Sequence, residues 1–342
     1  MHPRDGLRVL APLLLSALAC SSASQLLLPM ASPTPHVPPP SPTQVPASAP
    51  TTEPPPSPTE TATATASPSA LVPDFQHVVT VVFENKEYGT VIGNPEMPYF
   101  NELAESYTLL TQHYAVAHPS LPNYLALIGG DTFGVTFDCT KCIFDAVTLP
   151  DLIDASGRTW KSYQEDMPSP CYAGAEAGNY AMKHNPFMYF DPIRLDAARC
   201  TSSVVPMQQL YVDLASGNLP NYSFITPNLC NDAHDCGLGA ADDWLKSLMM
   251  ILLPLLGRDG TPYLVILTWD EGQGDHSCCG LPSEAGGRIA TVLVSPEAKS
   301  GFKDDTPYTH YSILKTISEA WHLKYLGHAA DADNVLITAP WK

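Results

Sequence analysis

The chain has 342 residues, with 17 Lys and Arg against 35 Asp and Glu, and a formal net charge of −18. A protein this acidic repels phosphate backbones and anionic lipids, so we expect no nucleic-acid partner and no membrane binding through surface charge. An anionic ligand must therefore be held by a locally positive group or by a metal ion.

Residues 1–19 are typical of a signal peptide for export. Arg4 and Arg8 precede an apolar run that ends in Ala17-Leu18-Ala19, directly before Cys20. The run is too short to span a membrane as a mature helix. Cleavage before Cys20 leaves two alternatives open, a secreted extracellular protein and a cell-surface lipoprotein acylated at Cys20. We expect no membrane attachment other than a lipid at that cysteine.

Residues 20–73 predict a disordered tether rich in Pro, Ser and Thr. Twelve of the thirty residues from 31 to 60 are proline, and 21–70 contains no Lys, Arg, Phe, Trp or Tyr. Such a segment cannot bury enough apolar surface to fold. The remainder, 74–342, is long enough for one catalytic domain with a substantial core.

Three apolar segments predict strands that are buried on both faces, at 77–83, 222–226 and 263–269. Polar side chains follow each of them: Glu84 and Asn85, then Asp232 and His234, then Asp270 and Glu271. Because functional groups gather at the carboxyl ends of parallel strands, we expect these residues to share one site.

The remaining elements predict an α/β fold with a central, mostly parallel β-sheet flanked by helices on both faces. Further strands are expected at 158–163 and 288–295, and helices at 98–107, 204–216, 242–256 and from about 312 to 322. Residues 165–200 predict a long irregular excursion, pinned through Cys171 and Cys200.

Eight cysteines follow Cys20 and predict up to four disulfides in an exported protein. Eight cysteines allow 105 pairings, and spacing favours only Cys139 with Cys142 and Cys230 with Cys236. Adjacent Cys278 and Cys279 are each expected to reach a distant partner. A zinc ribbon is not expected, because a second spaced pair of thiols is missing.

The segment His118–Tyr124 places Ser120 between two prolines at the start of a predicted helix. Pro122 suits a first helical turn, and Gly129-Gly130 ends the apolar run that follows. A serine at this position lies beside unpaired amides and the positive end of the helix dipole, where a phosphate is favoured. The alternative is that Ser120 only caps the helix.

The acidic residues predict a divalent metal site. Glu84, Asn85, Asp270 and Glu271 are hard oxygen donors, Asp232 adds another, and Ser120 is a nucleophile that a bound metal would activate. Oxygen donors suit Mg, Ca or Mn, while nearby histidines would admit Zn. The number of ions stays open.

Lys183 and His184 form the densest positive spot in the chain and are expected, with His118, to bind the substrate. The alternative for a Lys-His dipeptide is a solvated surface pair.

Five motifs occur in an order that resembles the phosphoesterase family, which contains secreted bacterial acid phosphatases and phospholipase C enzymes within the alkaline phosphatase superfamily. The motifs are Val82-Phe83-Glu84-Asn85-Lys86-x-Tyr88, His118-Pro119-Ser120-x-Pro122-Asn123-Tyr124, Asp232-x-His234-Asp235, Thr268-Trp269-Asp270-Glu271 and His310-Tyr311-Ser312.

The resemblance implies an alkaline phosphatase-like fold and a covalent phosphoserine at Ser120, with the acidic residues around a metal. It implies that His234 and His310 contact the phosphoryl group or protonate the leaving group, and that Asn123 binds phosphoryl oxygens. We expect an exported, acid phosphatase-like phosphomonoesterase acting on a phosphorylated small molecule or a lipid headgroup. The alternatives are a phospholipase C or another phosphodiesterase, and a non-enzymatic surface binding module.

Overall fold

The computed structural model describes residues 71–342. The predicted signal peptide, Cys20 and all but the last three residues of the predicted tether lie outside this range. Within it, Val72 and Phe75 are already buried in the core. None of the described helices combines the length and the apolar character needed to cross a bilayer.

The described chain forms eleven strands and nine α-helices. The strands are β1 (His77–Phe83), β2 (Thr108–Tyr114), β3 (Trp160–Gln164), β4 (Glu176–Ala177), β5 (Tyr180–Ala181), β6 (Val204–Pro206), β7 (Tyr222–Thr226), β8 (Tyr263–Trp269), β9 (Arg288–Val294), β10 (Lys303–Asp304) and β11 (Tyr308–Thr309). The α-helices are α1 (Tyr88–Val91), α2 (Pro98–Ser106), α3 (Ser120–Gly129), α4 (Leu149–Ala155), α5 (Asp191–Arg194), α6 (Ala197–Ser203), α7 (Gln208–Ser216), α8 (Leu238–Leu256) and α9 (His310–Ala320).

Nine strands form one sheet in the order β10-β2-β9-β8-β1-β7-β3-β6, with β11 beside β2. β4 and β5 form a separate hairpin. The five strands from β8 to β6 are parallel, whereas β9 is antiparallel to both β8 and β2. The predicted mostly parallel sheet is confirmed. The strand expected at 288–295 is present as β9.

Both faces of the sheet are covered by helices, as predicted. Successive side chains of a strand point to opposite faces, and β1 illustrates the division. Val78 and Val82 pack into one core with residues of α3 and α9. Val79 and Val81 pack into a second core with residues of α2 and α8. The continuous apolar run of β1 follows from this double burial.

The three strands that end in polar residues are neighbours, in the order β8-β1-β7. Their carboxyl ends are tied together by backbone hydrogen bonds. The Glu84 N–H donates to the Asp232 carbonyl at 2.8 Å, and the Asp270 N–H donates to the Phe83 carbonyl at 2.8 Å. The polar residues after these strands therefore meet at one edge of the sheet.

The helix expected at 204–216 is wrong in its first part. Val204–Pro206 is a strand that pairs with β3, and the helix begins at Gln208. Two β-branched residues followed by a proline favour an edge strand over a helix. β2 was not predicted from the sequence. Its polar residues Thr111, Gln112 and His113 interrupt the apolar pattern that is typical of a buried strand.

Four disulfides are present among the described residues. Cys139–Cys142 and Cys230–Cys236 confirm the predicted local pairs, and Cys171–Cys200 closes the excursion at 165–200. The expectation of distant partners for Cys278 and Cys279 is wrong, because these two cysteines are bonded to each other. The other six cysteines of the described range are paired among themselves, so within residues 71–342 no distant thiol is left for either one.

Candidate active site

Ser120 is the first residue of α3 and is buried at the carboxyl edge of the sheet. Its hydroxyl donates to Glu84 Oε2 at 2.9 Å and lies 3.4 Å from Glu271 Oε1. Pro119, not Ser120, occupies the N-cap position of α3, and the peptide bond before Pro119 is cis. The Ser120 hydroxyl therefore faces carboxylates and does not cap its helix.

Asn123 holds the backbone that leads to the nucleophile. Its Oδ1 accepts from the Val116 and Ala117 N–H groups at 2.9 and 3.1 Å, and its Nδ2 donates to the carbonyls of Ala117 and Pro119 at 2.8 and 3.3 Å. The amide expected to bind phosphoryl oxygens thus has all of its described contacts within 116–119. The Asn123 side chain thus fixes the backbone directly ahead of Ser120.

The acidic residues surround Ser120 and are almost fully buried. Asn85, with φ +54°, donates its backbone N–H to Asp270 Oδ1 at 2.9 Å and its side-chain Nδ2 to Glu84 Oε2 at 3.1 Å. Tyr124, on the second turn of α3, donates to Glu84 Oε1 at 2.5 Å. Asp232 lies beside Glu84 at the end of the next strand.

Burial raises the pKa values of these carboxyl groups. The pKa of Glu84 is well above its ordinary value because of burial first and the charges of Asp270 and Asp232 second. Burial raises the pKa of Asp232 to about 7. Burial and the charge of Glu271 raise the pKa of Asp270 to about 8. So many carboxylates in one buried place repel each other unless a cation is bound among them.

The donor set fits a divalent cation. Asp232 Oδ2 and Asp270 Oδ2 are buried without a hydrogen-bond partner, which leaves two carboxylate oxygens available as ligands. Ser120, Glu84, Asp270 and Glu271 offer an all-oxygen set that suits Mg, Ca or Mn. Ligand atoms of Glu84, His184 and Asp232 all lie within 4.8 Å of one another and offer a mixed set that would also suit Zn.

His184, expected to bind substrate, lies in this mixed set. Its Nε2 is 3.1 Å from Glu84 Oε1 and its Nδ1 is 3.3 Å from Asp232 Oδ2. Its ring stacks on that of Tyr124 at 5.3 Å. Burial lowers the pKa of His184 well below its ordinary value, and a neutral imidazole is the form that binds a metal.

Lys183 and His234 line a separate cleft of about 310 Å³, called the Lys183 cleft below. Lys183 Nζ lies 3.1 Å from Asp138 Oδ2 and 3.4 Å from His234 Nε2, and His234 Nδ1 lies 2.7 Å from Asp235 Oδ1. Burial opposes the charge on Lys183, but Glu84 and Asp138 attract it and its pKa is raised. Lys183 is thus a positive charge in a cleft that is also lined by the carboxylates of Asp138 and Glu176.

His118 and His310 lie on the other side of the acidic residues. His118 donates through Nδ1 to Glu271 Oε2, and this hydrogen bond to the carboxylate raises the pKa of His118. His310 is fully buried behind Asp270, where its Nε2 donates to the Asp270 carbonyl at 2.6 Å. Burial lowers the pKa of His310 to about 4, so it is neutral at ordinary pH. Its described hydrogen bond goes to this backbone carbonyl, while Nδ1 has no partner.

Two residues outside the predicted site lie in direct contact with it. Tyr124 bonds to Glu84, and Asp138 accepts from the Leu121 N–H at 3.0 Å as well as from Lys183. Tyr124 belongs to the segment that carries Ser120, which was the available signal. Asp138 is next to Cys139 in a turn-rich stretch, and nothing in its sequence pattern distinguishes it from a solvated acid.

Comparison with known proteins identifies the family. Residues 94–324, more than half of the chain, match the Phosphoesterase family. The phosphate-repressible acid phosphatase of Penicillium chrysogenum is 36% identical over 273 residues, which cover 77% of this chain and 63% of that relative. The phosphatidylinositol-3-phosphatase of Mycobacterium tuberculosis is 32% identical over 267 residues, which cover 77% of this chain and 83% of that relative. The chain spans less than two thirds of the fungal relative.

The fold is shared with a protein of the alkaline phosphatase superfamily from Vibrio parahaemolyticus. Its structure superposes with a TM-score of 0.52 at 12% identity and covers 77% of this chain and 71% of its own. The mixed sheet flanked by helices is thus the arrangement expected from the sequence. This chain belongs to the phosphoesterase family and has the fold of the alkaline phosphatase superfamily.

Proposed function

We propose that this protein is an exported phosphomonoesterase that acts through a phosphoserine at Ser120. The observation that carries the proposal is the position of the Ser120 hydroxyl, 2.9 Å from Glu84 and 3.4 Å from Glu271, at the edge where β8, β1 and β7 end. The relatives named as phosphatases support the same activity.

The reaction proceeds in two displacements. Ser120 Oγ loses its proton and forms a bond to phosphorus, the bond from phosphorus to the alcohol oxygen breaks, and the alcohol oxygen takes up a proton as it leaves. A water oxygen then attacks the phosphoserine, the bond from phosphorus to Oγ breaks, and inorganic phosphate is released. Both displacements need the phosphoryl oxygens neutralised and held in line more than they need new covalent chemistry.

The residues of this chain divide that work between them. Glu84, in hydrogen-bond contact with Ser120 Oγ, orients the hydroxyl for attack. Lys183 neutralises the phosphoryl oxygens, and His234, which lies 3.4 Å from it, contacts the same oxygens while Asp235 orients its ring. A divalent ion bound by the acidic residues would act as a Lewis acid and increase the acidity of the serine hydroxyl.

Export is part of the proposal, with 1–19 as signal peptide and 20–73 as tether. Four disulfides among the described residues support an oxidising compartment, because such bonds are rare in the cytosol. Acylation at Cys20 remains the alternative to full secretion.

The test is a Ser120→Ala substitution. Because the nucleophile is lost, kcat for an aryl phosphate should fall by about three orders of magnitude or more. Acid quenching of the wild-type enzyme during turnover should trap phosphoserine, which peptide mass spectrometry should locate at Ser120.

Ser223→Ala is the matched control. Ser223 is a buried serine on β7 whose hydroxyl has no hydrogen-bond partner, and it lies outside the proposed site. Its removal should leave kcat within about twofold, as expected for a substitution away from the chemistry. Near-normal turnover in Ser120→Ala, or phosphate trapped on another residue, contradicts the mechanism. Faster hydrolysis of a phosphodiester than of the matching monoester would replace the monoesterase with the phosphodiesterase alternative.

A further inference from the structure

A second cavity, of about 400 Å³, opens on the opposite side of the acidic residues from the Lys183 cleft. We call it the His118 cavity. Five parts of the chain enclose it: Val116–His118, the loop after α3, residues 279–282 after β8, Tyr311 of α9, and the segment from His328 to Asn334. A cavity of this size accommodates a small organic group and not a lipid chain.

The His118 cavity adjoins the residues that contact the proposed nucleophile. His118 forms part of its wall and is two residues ahead of Ser120. His118 Nδ1 contacts Glu271, and Glu271 Oε1 lies 3.4 Å from Ser120 Oγ. One carboxylate thus contacts both the cavity wall and the reacting hydroxyl. A phosphoryl group on Ser120 therefore has the Lys183 cleft on one side and the His118 cavity on the other.

The walls of the cavity are held in place by specific contacts. The Asn334 side chain accepts from Thr309 Oγ1 at 2.6 Å and donates to the His328 carbonyl at 3.0 Å, which fastens the segment after α9. Gly280 has φ +78°, and a Cβ built on it would come within 3.0 Å of Asp333 Oδ2. The Asp333 carboxylate therefore lies against residue 280 on the facing wall, and the cavity is formed before any ligand binds.

The lining of the cavity combines hydrogen-bond acceptors with apolar and aromatic surface. Asp331 and Asp333 contribute carboxylates, and neither Lys nor Arg lines the cavity. The Tyr311 ring lies 5.1 Å from the His328 ring, and Val135 and Leu281 add apolar surface. The two histidines of the described lining, His118 and His328, are each paired with a carboxylate, Glu271 and Asp331 respectively, so an anionic group competes with a carboxylate for either one. A compound with several hydroxyl donors and an apolar C–H face matches both kinds of wall.

We infer that the His118 cavity binds the alcohol part of the substrate and that this alcohol is an uncharged polyol or sugar. The inference rests on the proposed function, since it names the group that leaves when the bond between phosphorus and the alcohol oxygen breaks. The hydroxyl groups of the alcohol donate hydrogen bonds to the carboxylates, and the aromatic and aliphatic side chains pack against its carbon face.

The experiment compares esters that carry the same phosphoryl group and different alcohols. Glucose 1-phosphate, methyl phosphate, phosphocholine and glucose 1,6-bisphosphate are assayed by phosphate release. In the wild-type enzyme kcat/KM should be at least about tenfold higher for glucose 1-phosphate than for methyl phosphate, and it should fall when the alcohol carries a second phosphate.

Two variants act on the cavity in different ways. Thr136→Trp places a large ring in the cavity from an exposed wall position, and the double variant Asp331→Asn/Asp333→Asn removes both carboxylates. Each should lower the ratio of kcat/KM for glucose 1-phosphate to that for methyl phosphate by about tenfold, because only the sugar occupies the cavity. Asp305→Asn, an exposed aspartate outside the cavity, is the matched control and should keep the wild-type ratio.

Each outcome decides the inference. A ratio unchanged in both variants overturns it, and so does a wild-type enzyme that prefers methyl phosphate. If kcat/KM relative to methyl phosphate is higher for phosphocholine than for glucose 1-phosphate, the polyol assignment is overturned in favour of a cationic alcohol. If none of the esters is hydrolysed, the proposed function itself fails, which is distinguishable from an active enzyme without preference among alcohols.

Discussion

Two groups of buried carboxylates in this protein differ in how their oxygens are satisfied. Asp213 accepts hydrogen bonds from Lys161 at 2.5 Å, from Tyr163 at 2.7 Å and from Gln209 at 2.9 Å. Asp242 accepts from two backbone N–H groups at the start of α2, at 2.9 and 2.7 Å. Burial of these acids is compensated, so they join elements of the fold.

The carboxylates at the carboxyl edge of the sheet lack this compensation. Asp232 and Asp270 each keep one oxygen without a partner, and burial raises the pKa of both and of Glu84. Asp213 shows the opposite direction: burial alone would raise its pKa, but the hydrogen bonds from Lys161 and Tyr163 lower it. Buried acids with unsatisfied oxygens thus mark the ligand site, while fully bonded ones stabilise the fold.

The largest expected effect comes from Asp270→Asn. Asparagine keeps an oxygen for the Asn85 N–H but removes the charge, so kcat/KM for an aryl phosphate should fall by about a thousandfold. Without metal the same change should raise the free energy of unfolding at pH 7 by about 1–3 kcal/mol, since it removes the cost of burying an ionisable carboxyl group beside other acids. Steady-state kinetics and urea unfolding in a chelator test the two effects. If Asp270→Asn were less stable than wild type in the chelator, the distinction between the carboxylates at the sheet edge and the fully bonded Asp213 and Asp242 would be contradicted.

A comparable loss of activity is expected from metal removal on the wild-type protein. Chelation should abolish hydrolysis and divalent metal should restore it. Saturating metal should stabilise the fold by about 2–3 kcal/mol, which thermal unfolding would report as a rise in Tm of about 5 °C. Saturating metal should raise the Tm of Asp270→Asn by clearly less than it raises the Tm of the wild type. Equal activity with and without metal would instead favour a site that works through its lysine and histidines.

The smallest expected effect comes from Asp213→Asn. Loss of the charged partner of Lys161 should lower the free energy of unfolding by about 1–2 kcal/mol at pH 7 while kcat/KM stays within about twofold of wild type. Urea unfolding and the phosphatase assay together test this separation of stability from activity.

The stability that Asp213→Asn loses depends on pH, and the direction of that dependence follows from the pKa of Asp213. The folded pKa of Asp213 is lowered, so its stabilisation is complete above the unfolded aspartate value of about 3.9 and disappears as the pH falls through the folded pKa. The stability difference between wild type and Asp213→Asn should be constant from neutral pH to about 5 and shrink at lower pH. A stability difference between wild type and Asp213→Asn that increased as the pH fell would contradict the role given to Asp213.

The fold was predictable where one physical rule dominated. The apolar runs of β1, β7 and β8 identify strands covered on both faces, and the polar residues directly after them identify one edge of a parallel sheet. Glu84, Asp232 and Asp270 meet at that edge as expected. The start of α3 was equally predictable, because Ser120 and Pro122 precede a long apolar stretch that ends in two glycines.

The remainder depended on contacts between distant parts of the chain. His184 lies beside Glu84 and Asp232 only because the excursion closed by Cys171–Cys200 folds back over β7. Asn123 has its contacts within 116–119, and His310 lies behind Asp270, although both motifs suggested direct contact with the phosphoryl group. Residue type and spacing identify these side chains as polar and buried, but orientation is set by tertiary packing.

The division of the site between strand ends and disulfide-closed loops has a consequence for protein engineering. Glu84 and Asp270 directly follow their strands, and so depend on the rigid sheet. Lys183 lies on the excursion closed by Cys171–Cys200, and the His118 cavity is walled in part by the loop that carries Cys278–Cys279. Under the proposed function, a library of loops grafted directly after Cys279 should therefore change which alcohol is accepted, while Glu84 and Asp270 keep their positions on the sheet.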